Sequence, residues 1–176
     1  MENQENLTGP RTTGPRFNCN GLQIKTVNGQ GKGVFTTNPC KTDELILHFT
    51  GQVTLSQHIS DFTHYLQISP NLYLSPSGQY DDYVNHSCDP NCAVFFQDDD
   101  IVLKTIKNIR PEEQLSFDYG TIIFNEPTTF ECNCSSGLCR KIIGNFYSMP
   151  AELQNKYLKK GMVPLLNKYT REQLGF

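Results

Sequence analysis

Seven cysteines in 176 residues constrain this chain more than any other feature. Three of them fall in Cys132-Asn133-Cys134-Ser135-Ser136-Gly137-Leu138-Cys139, a C-x-C-x4-C run. At that density the thiols point to a metal, with a redox site or coincidence as the competing readings. Zinc takes four tetrahedral ligands, so a fourth must come from elsewhere in the chain. Cys88 is the natural candidate. It sits in residues 83–92, Tyr-Val-Asn-His-Ser-Cys-Asp-Pro-Asn-Cys, a stretch that carries a carboxamide, an imidazole and two thiols. The stretch closes on Asp-Pro-Asn, which favours a turn because proline fixes φ and Asx side chains bond their own backbone. A thiol just before such a turn is held rigidly. In an extended chain Asn85 and His86 point to opposite faces, and Cys88 points the same way as His86. Taken alone, this stretch also reads as a polar loop with a buried cysteine. Cys19, Cys40 and Cys92 are left as packed thiols.

Cysteines clustered in this way suit a reducing compartment. The first residues, Met1-Glu2-Asn3-Gln4-Glu5-Asn6, have no apolar core of a secretory signal, and no stretch is apolar and long enough to cross a bilayer. The expectation is an intracellular protein, cytoplasmic or, in a eukaryote, nuclear, without a membrane partner. Fifteen Lys+Arg against eighteen Asp+Glu give a net charge of −3. No basic stripe is visible, so direct nucleic-acid binding is not expected. A mildly acidic surface is compatible with a basic partner.

The hydrophobic pattern is that of short strands. Residues 22–27 alternate apolar and polar. The glycine-rich run Asn28-Gly29-Gln30-Gly31-Lys32-Gly33 leads to a second short strand at residues 34–36, so a hairpin is the default. The run is no nucleotide-triphosphate loop, because no Ser or Thr follows the lysine and Pro39 blocks a helix. Residues 44–49 predict a buried strand, and residues 52–61 a polar insert. Residues 64–68 and 71–74 predict two more strands, and residues 93–96 and 101–106 a hairpin around an acidic turn. Residues 114–120 predict a strand with Leu115, Phe117 and Tyr119 on one face, for which core packing with a hydrogen-bonded phenol is the plain reading. In the tail, Leu153, Tyr157 and Leu158 have helical spacing, Gly161 stops that helix, and residues 163–169 suggest a second. Residues 1–15, polar with two Gly-Pro pairs, read as a disordered arm.

With these pieces in place, the chain resembles the SET-domain protein-lysine methyltransferases. Three motifs match in order: Gly31-Lys32-Gly33-Val34-Phe35, the stretch from Tyr83 to Asn91, and Glu113-Gln114-Leu115-Ser116-Phe117-Asp118-Tyr119-Gly120. The Cys132 to Cys139 run, followed by Arg140 and Ile143-Gly144, resembles the post-SET zinc module. The likeness spans roughly residues 21–145. It implies a mostly β SET fold of small sheets with a pseudoknot, in which the Asn-His segment threads under a loop beside the catalytic strand. The division is then an arm at 1–15, a SET domain at 16–125, a post-SET zinc module at 126–146 and a C-terminal helical tail at 147–176.

The resemblance further implies S-adenosylmethionine as methyl donor and a protein or peptide lysine as acceptor. By position, Gly31, Lys32, Gly33, Tyr65, Asn85, His86 and Leu138 would bind the cofactor. Cys88, Cys132, Cys134 and Cys139 would share one zinc. Phe49 and Phe117 would wall the lysine channel, and Tyr119 would be the catalytic tyrosine. Phe117 stands where tyrosine would restrict the product to monomethyl-lysine, so di- or trimethylation is implied. Asp82 replaces a common arginine, and Phe49 replaces a common tyrosine, which removes one hydrogen bond to the substrate amine. A catalytically silent SET-like peptide-binding module is the alternative function. A zinc-ribbon nucleic-acid binder is a third reading, and it lacks the basic stripe it would need, since only Arg140 and Lys141 lie near the cysteines.

Overall fold

The computed structural model describes residues 21–97, 100–124 and 129–164. The proposed arm, Cys19, and most of the second tail helix lie outside these residues. Strands are short because turn-forming residues interrupt every apolar run, and they assemble into several small sheets instead of one large one. β1 (Leu22–Val27) and β2 (Gly31–Thr36) form the expected antiparallel hairpin. β3 (Leu45–His48) pairs with β9 (Asp100–Thr105), which pairs with β8 (Cys92–Gln97). β4 (Val53–Leu55), β6 (Leu72–Leu74) and β5 (Leu66–Ser69) make a second three-stranded sheet.

Three features depart from the sequence expectation. β4 lies inside the polar insert. Its Val-Thr-Leu is too short for alternation to register, and it exists because β6 supplies the pairing, Val53 opposite Leu74. The strand expected at residues 114–120 is only β10 (Ser116–Phe117). Asp118 ends it by capping a 3-10 turn over Tyr119–Thr121, so Tyr119 leaves the strand face it was expected to share with Phe117. Finally, β11 (Phe130–Glu131) and β12 (Ile142–Ile143) pair to bracket the cysteine run.

The main core joins Val34, Ile46, Leu47, Val94, Leu103 and Leu115, all fully buried. The helix α1 (Ala151–Lys159) adds a second cluster, in which Tyr157, Phe146 and Met149 pack on Ala93 of β8. Gly161, at φ 67°, ends the helix region as expected. Leu158 instead faces solvent, so only Tyr157 of the adjacent pair is buried.

β7 (Asn85–His86) runs parallel to β10, with Ser116 opposite Asn85 and Phe117 opposite His86. This sets the Asn-His segment beside the Tyr119 strand. Two residues per strand supply few ladder bonds, so a side chain reinforces the pairing. Asn91, of the Asp-Pro-Asn turn, does not bond its own loop. Its amide donates to the Gln114 carbonyl at 2.8 Å and to Glu113 Oε1 at 3.1 Å, and its Oδ1 accepts from the Ser116 amide at 3.0 Å. Replacing Asn91 with Ala strands two backbone groups and should cost about 2–4 kcal/mol. A lower urea midpoint at unchanged m-value would register it.

Candidate functional site

The β7–β10 junction opens onto a cavity of about 660 Å3, within the usual range for small-molecule and cofactor sites. Phe49, Tyr65, Asn85, His86, Phe117 and Tyr119, all singled out by sequence, line it. Three of these rings form a continuous aromatic wall. Phe49 meets Phe117 edge-on at 6.0 Å between centroids, and Phe117 lies 5.0 Å from Tyr119.

Tyr119 is oriented from both ends. Its hydroxyl donates to the Val84 carbonyl at 3.0 Å, and its backbone amide donates to His86 Nδ1 at 3.1 Å. Burial pushes the phenol up to about 12, so the hydroxyl stays protonated at neutral pH and acts as a dipole. Because Nδ1 accepts the Tyr119 amide, the neutral His86 ring carries its proton on Nε2. That atom lies 3.2 Å from Cys88 Sγ. Burial, opposed by Asp118 and aided by Arg140, lowers His86 to about 4. Both ring nitrogens are therefore committed to structure.

Asn85 donates its amide to the Lys32 carbonyl at 2.9 Å, which ties β7 to the glycine strand. A Cβ on Gly33 would lie 2.7 Å from Gln114 Nε2 and 3.0 Å from Asn85 Nδ2, so only glycine fits there without displacement. Gly31, Lys32 and Gly33, expected to bind the cofactor, are not among the residues lining the cavity, whereas Gly29 and Gln30 are. Gln30, Gln114 and Asn133 carry no recognisable signal in the sequence. Gln30 Nε2 donates to the Asn133 carbonyl at 2.9 Å and Gln30 Oε1 accepts from Gln114 at 3.2 Å, clasping the hairpin turn to the cysteine run. No spacing rule marks such a contact, since its partners lie about a hundred residues apart. Leu138 is 68% exposed and is not part of the cavity lining.

Asp82, where the resemblance has arginine, and its neighbour Asp81 both carry structural hydrogen bonds. Asp82 accepts the Ser77 and Gly78 amides at 3.0 and 2.7 Å and closes their turn. Asp81 is buried in the cavity wall, where burial raises its pKa while Ser77 Oγ and the Thr50 amide bond its carboxylate.

On the far side of His86 the predicted thiols converge. Cys88 and Cys132 are 3.7 Å apart. Four tetrahedral Zn–S bonds of about 2.3 Å would set sulfurs about 3.8 Å apart, so the spacing suits zinc. Cys134 joins them, and Cys139 contacts both Cys132 and Cys134. His86, Cys88, Cys132 and Cys134 also present donor atoms all within 4.8 Å of one another. Burial raises Cys88 and Cys132. Cys134 is half-buried, and although burial pushes it up, backbone hydrogen bonds with Cys88 and Ser136 and side-chain hydrogen bonds with Cys132 and Cys139 bring it down to about 7. Cys40 and Cys92 are buried in the core, away from this cluster.

Among the described residues no helix is long and apolar enough to cross a membrane. The family model described as SET domain matches residues 31–120. The histone-lysine N-methyltransferase SUV39H2 of Gallus gallus is 31% identical over 118 residues, covering 54% of this chain and 29% of the relative. The histone-lysine N-methyltransferase Su(var)3-9 of Drosophila pseudoobscura pseudoobscura is 28% identical over 154 residues, covering 68% of this chain and 24% of the relative. This chain therefore corresponds to less than a third of either protein. A crystal structure of KRYPTONITE in complex with mCHH DNA, H3(1-15) peptide and SAH superposes with a TM-score of 0.61 at 22% identity, over 74% of this chain and 30% of that one. The matched interval runs from the glycine strand through the Asn-His strand to the Tyr119 turn, the last two of which line the cavity, and the chain belongs to the SET-domain family.

Proposed function

We propose that the protein is an S-adenosylmethionine-dependent protein-lysine N-methyltransferase able to form di- or trimethyl-lysine. The observation that carries this reading is the Tyr119 hydroxyl, held by Val84 at the end of an aromatic wall on a cofactor-sized cavity. Tyr65, Asn85 and His86 line the cavity that would hold the cofactor, which when bound would supply an electrophilic sulfonium methyl, the C–S electron pair staying with sulfur when an amine takes the methyl. The attacking lysine must be neutral, and deprotonating it at pH 7 costs about 4.6 kcal/mol in water. An apolar channel of Phe49 and Phe117 disfavours the ammonium and reduces that cost. The same wall aligns the amine, an effect worth several kcal/mol. Tyr119 and the Val84 carbonyl present fixed dipoles where the methyl departs. His86, with both nitrogens engaged, is no general base, so the amine proton leaves to solvent.

Zinc is assigned to Cys88, Cys132, Cys134 and Cys139. His86 is set aside as a ligand because its Nε2 proton points at Cys88 and donates to that sulfur. The metal's role is to hold the cysteine run, and Asn133 with it, against the cavity. The relatives named as histone-lysine methyltransferases, with the H3(1-15) peptide of the KRYPTONITE complex, make a histone H3 tail peptide the first acceptor to try.

With labelled S-adenosylmethionine and that peptide, Tyr119→Phe should lower kcat about a hundredfold while cofactor binding stays near wild type. Equal turnover by the variant would leave a peptide-binding module as the better account. Phe117→Tyr should shift the product toward monomethyl-lysine by mass spectrometry. Cys139→Ser should lose the bound zinc by elemental analysis, whereas His86→Gln should retain it.

A further inference from the structure

The C-terminal helix lies outside the matched family interval, and sequence reasoning gives it packing alone. Its buried residue does more. Tyr157 is 2% exposed, and its hydroxyl donates to Asp118 Oδ2 at 3.0 Å. Asp118 is the residue before Tyr119 and is equally buried. Arg140, next to Cys139, grips both oxygens of the same carboxylate, Nη1 to Oδ2 at 2.8 Å and Nη2 to Oδ1 at 2.7 Å. The remaining capacity of Oδ1 accepts the Gly120 amide at 3.1 Å, which is the cap of the Tyr119 turn. One carboxylate thus receives the cysteine run, the helix and the catalytic turn together.

The other side of Tyr119 is closed by the same C-terminal segment. A Cβ on Gly120 would lie 2.2 Å from Met149 Cε and 3.0 Å from the Gly144 carbonyl. The Phe146 amide donates to the Ile123 carbonyl at 2.9 Å, immediately beyond the turn. Both neighbours of Tyr119 are therefore set by residues that follow the cysteine run.

We propose that Asp118, Arg140 and Tyr157 form a latch through which the C-terminal helix positions Tyr119, making Tyr157 a positioning residue for methyl transfer. The proposal rests on the methyltransferase reading above. An Asp118 carboxylate short of one donor is free to rotate, which loosens its bond to the Gly120 amide. The error is then passed to the Tyr119 ring. Tyr157 does not touch the cavity, so cofactor and peptide binding are left intact.

The test is Tyr157→Phe in the full chain, which deletes only the hydroxyl and keeps the ring in its apolar cluster. Turnover should fall on the order of tenfold in kcat, with peptide KM and cofactor Kd within about twofold of wild type. In the Asp118→Asn background the same change should add nothing, because the bond it removes has already been weakened. Leu158→Ser, on the exposed side of the same helix, serves as the control at wild-type turnover. Ring-labelled tyrosine NMR, with the Tyr119 signal assigned by Tyr119→Phe, supplies a readout that needs no turnover. That signal should move in Tyr157→Phe and stay put in Leu158→Ser. An unmoved Tyr119 signal, or a kcat loss that adds fully to that of Asp118→Asn, would overturn the latch. If wild-type protein makes no methylated product, the methyltransferase reading fails by itself, and the NMR shift still decides whether the latch exists.

Discussion

The segments that matter most here have the least secondary structure. β7 and β10 are two residues each, too short for ladder hydrogen bonds to hold them. Buried backbone groups must still be satisfied, and side chains do it. Asn91 serves Gln114 and Ser116, Asn85 serves Lys32, His86 serves Tyr119, and Asp118 serves Gly120. Among the described residues, no buried side-chain nitrogen or oxygen lacks a partner. Irregular backbone allows three distant segments to meet around one cavity. Its cost is a dependence on particular amides, imidazoles and carboxylates that an aliphatic core would not have.

The cysteine run meets the same problem by other means. β11 and β12 have two residues each, and Phe130, Leu138 and Ile142 are exposed. A segment with so little apolar burial cannot order itself on hydrophobic grounds. A metal held by the thiols would supply the missing free energy through a few strong, directional bonds. With Cys88, two residues beyond His86, among its ligands, that free energy would act on the cavity wall. The Gln30–Asn133 clasp then extends the restraint to the hairpin turn.

What could be read from the sequence was what is local or chemically unusual. The hairpin of β1 and β2, the strand at β3, the β8–β9 pair and α1 all follow from periodicity and turn residues. The thiol cluster followed from cysteine density and ligand number. Asp118 was harder. It sat inside a recognised motif, between two aromatics, and alternation made it a strand residue. Its other partners, Arg140 and Tyr157, are distant in sequence, so no local pattern encodes that bonding. The same holds for β4, whose three residues become a strand only because β6 is there to pair with. Leu138 is different: its cofactor role comes from the family resemblance, and its side chain is exposed and outside the cavity lining.

The Asp118–Arg140 pair also bears on the electrostatics of the proposed reaction. Two charges taken out of water seldom add net stability, because desolvation offsets their attraction. Their value here lies in cancellation. A lone carboxylate beside Tyr119 would impose a negative potential on the phenol, and a lone guanidinium a positive one. Paired through two bonds, they leave burial as the cause of the raised Tyr119 pKa. In the proposed methyl transfer, the phenol would then present a neutral, fixed dipole to a reacting centre that begins cationic and ends with its charge handed to the amine. A residue that titrated near neutrality in that place would make its alignment depend on pH. A buried phenol, fixed by Val84 at its tip and Asp118 at its base, does not.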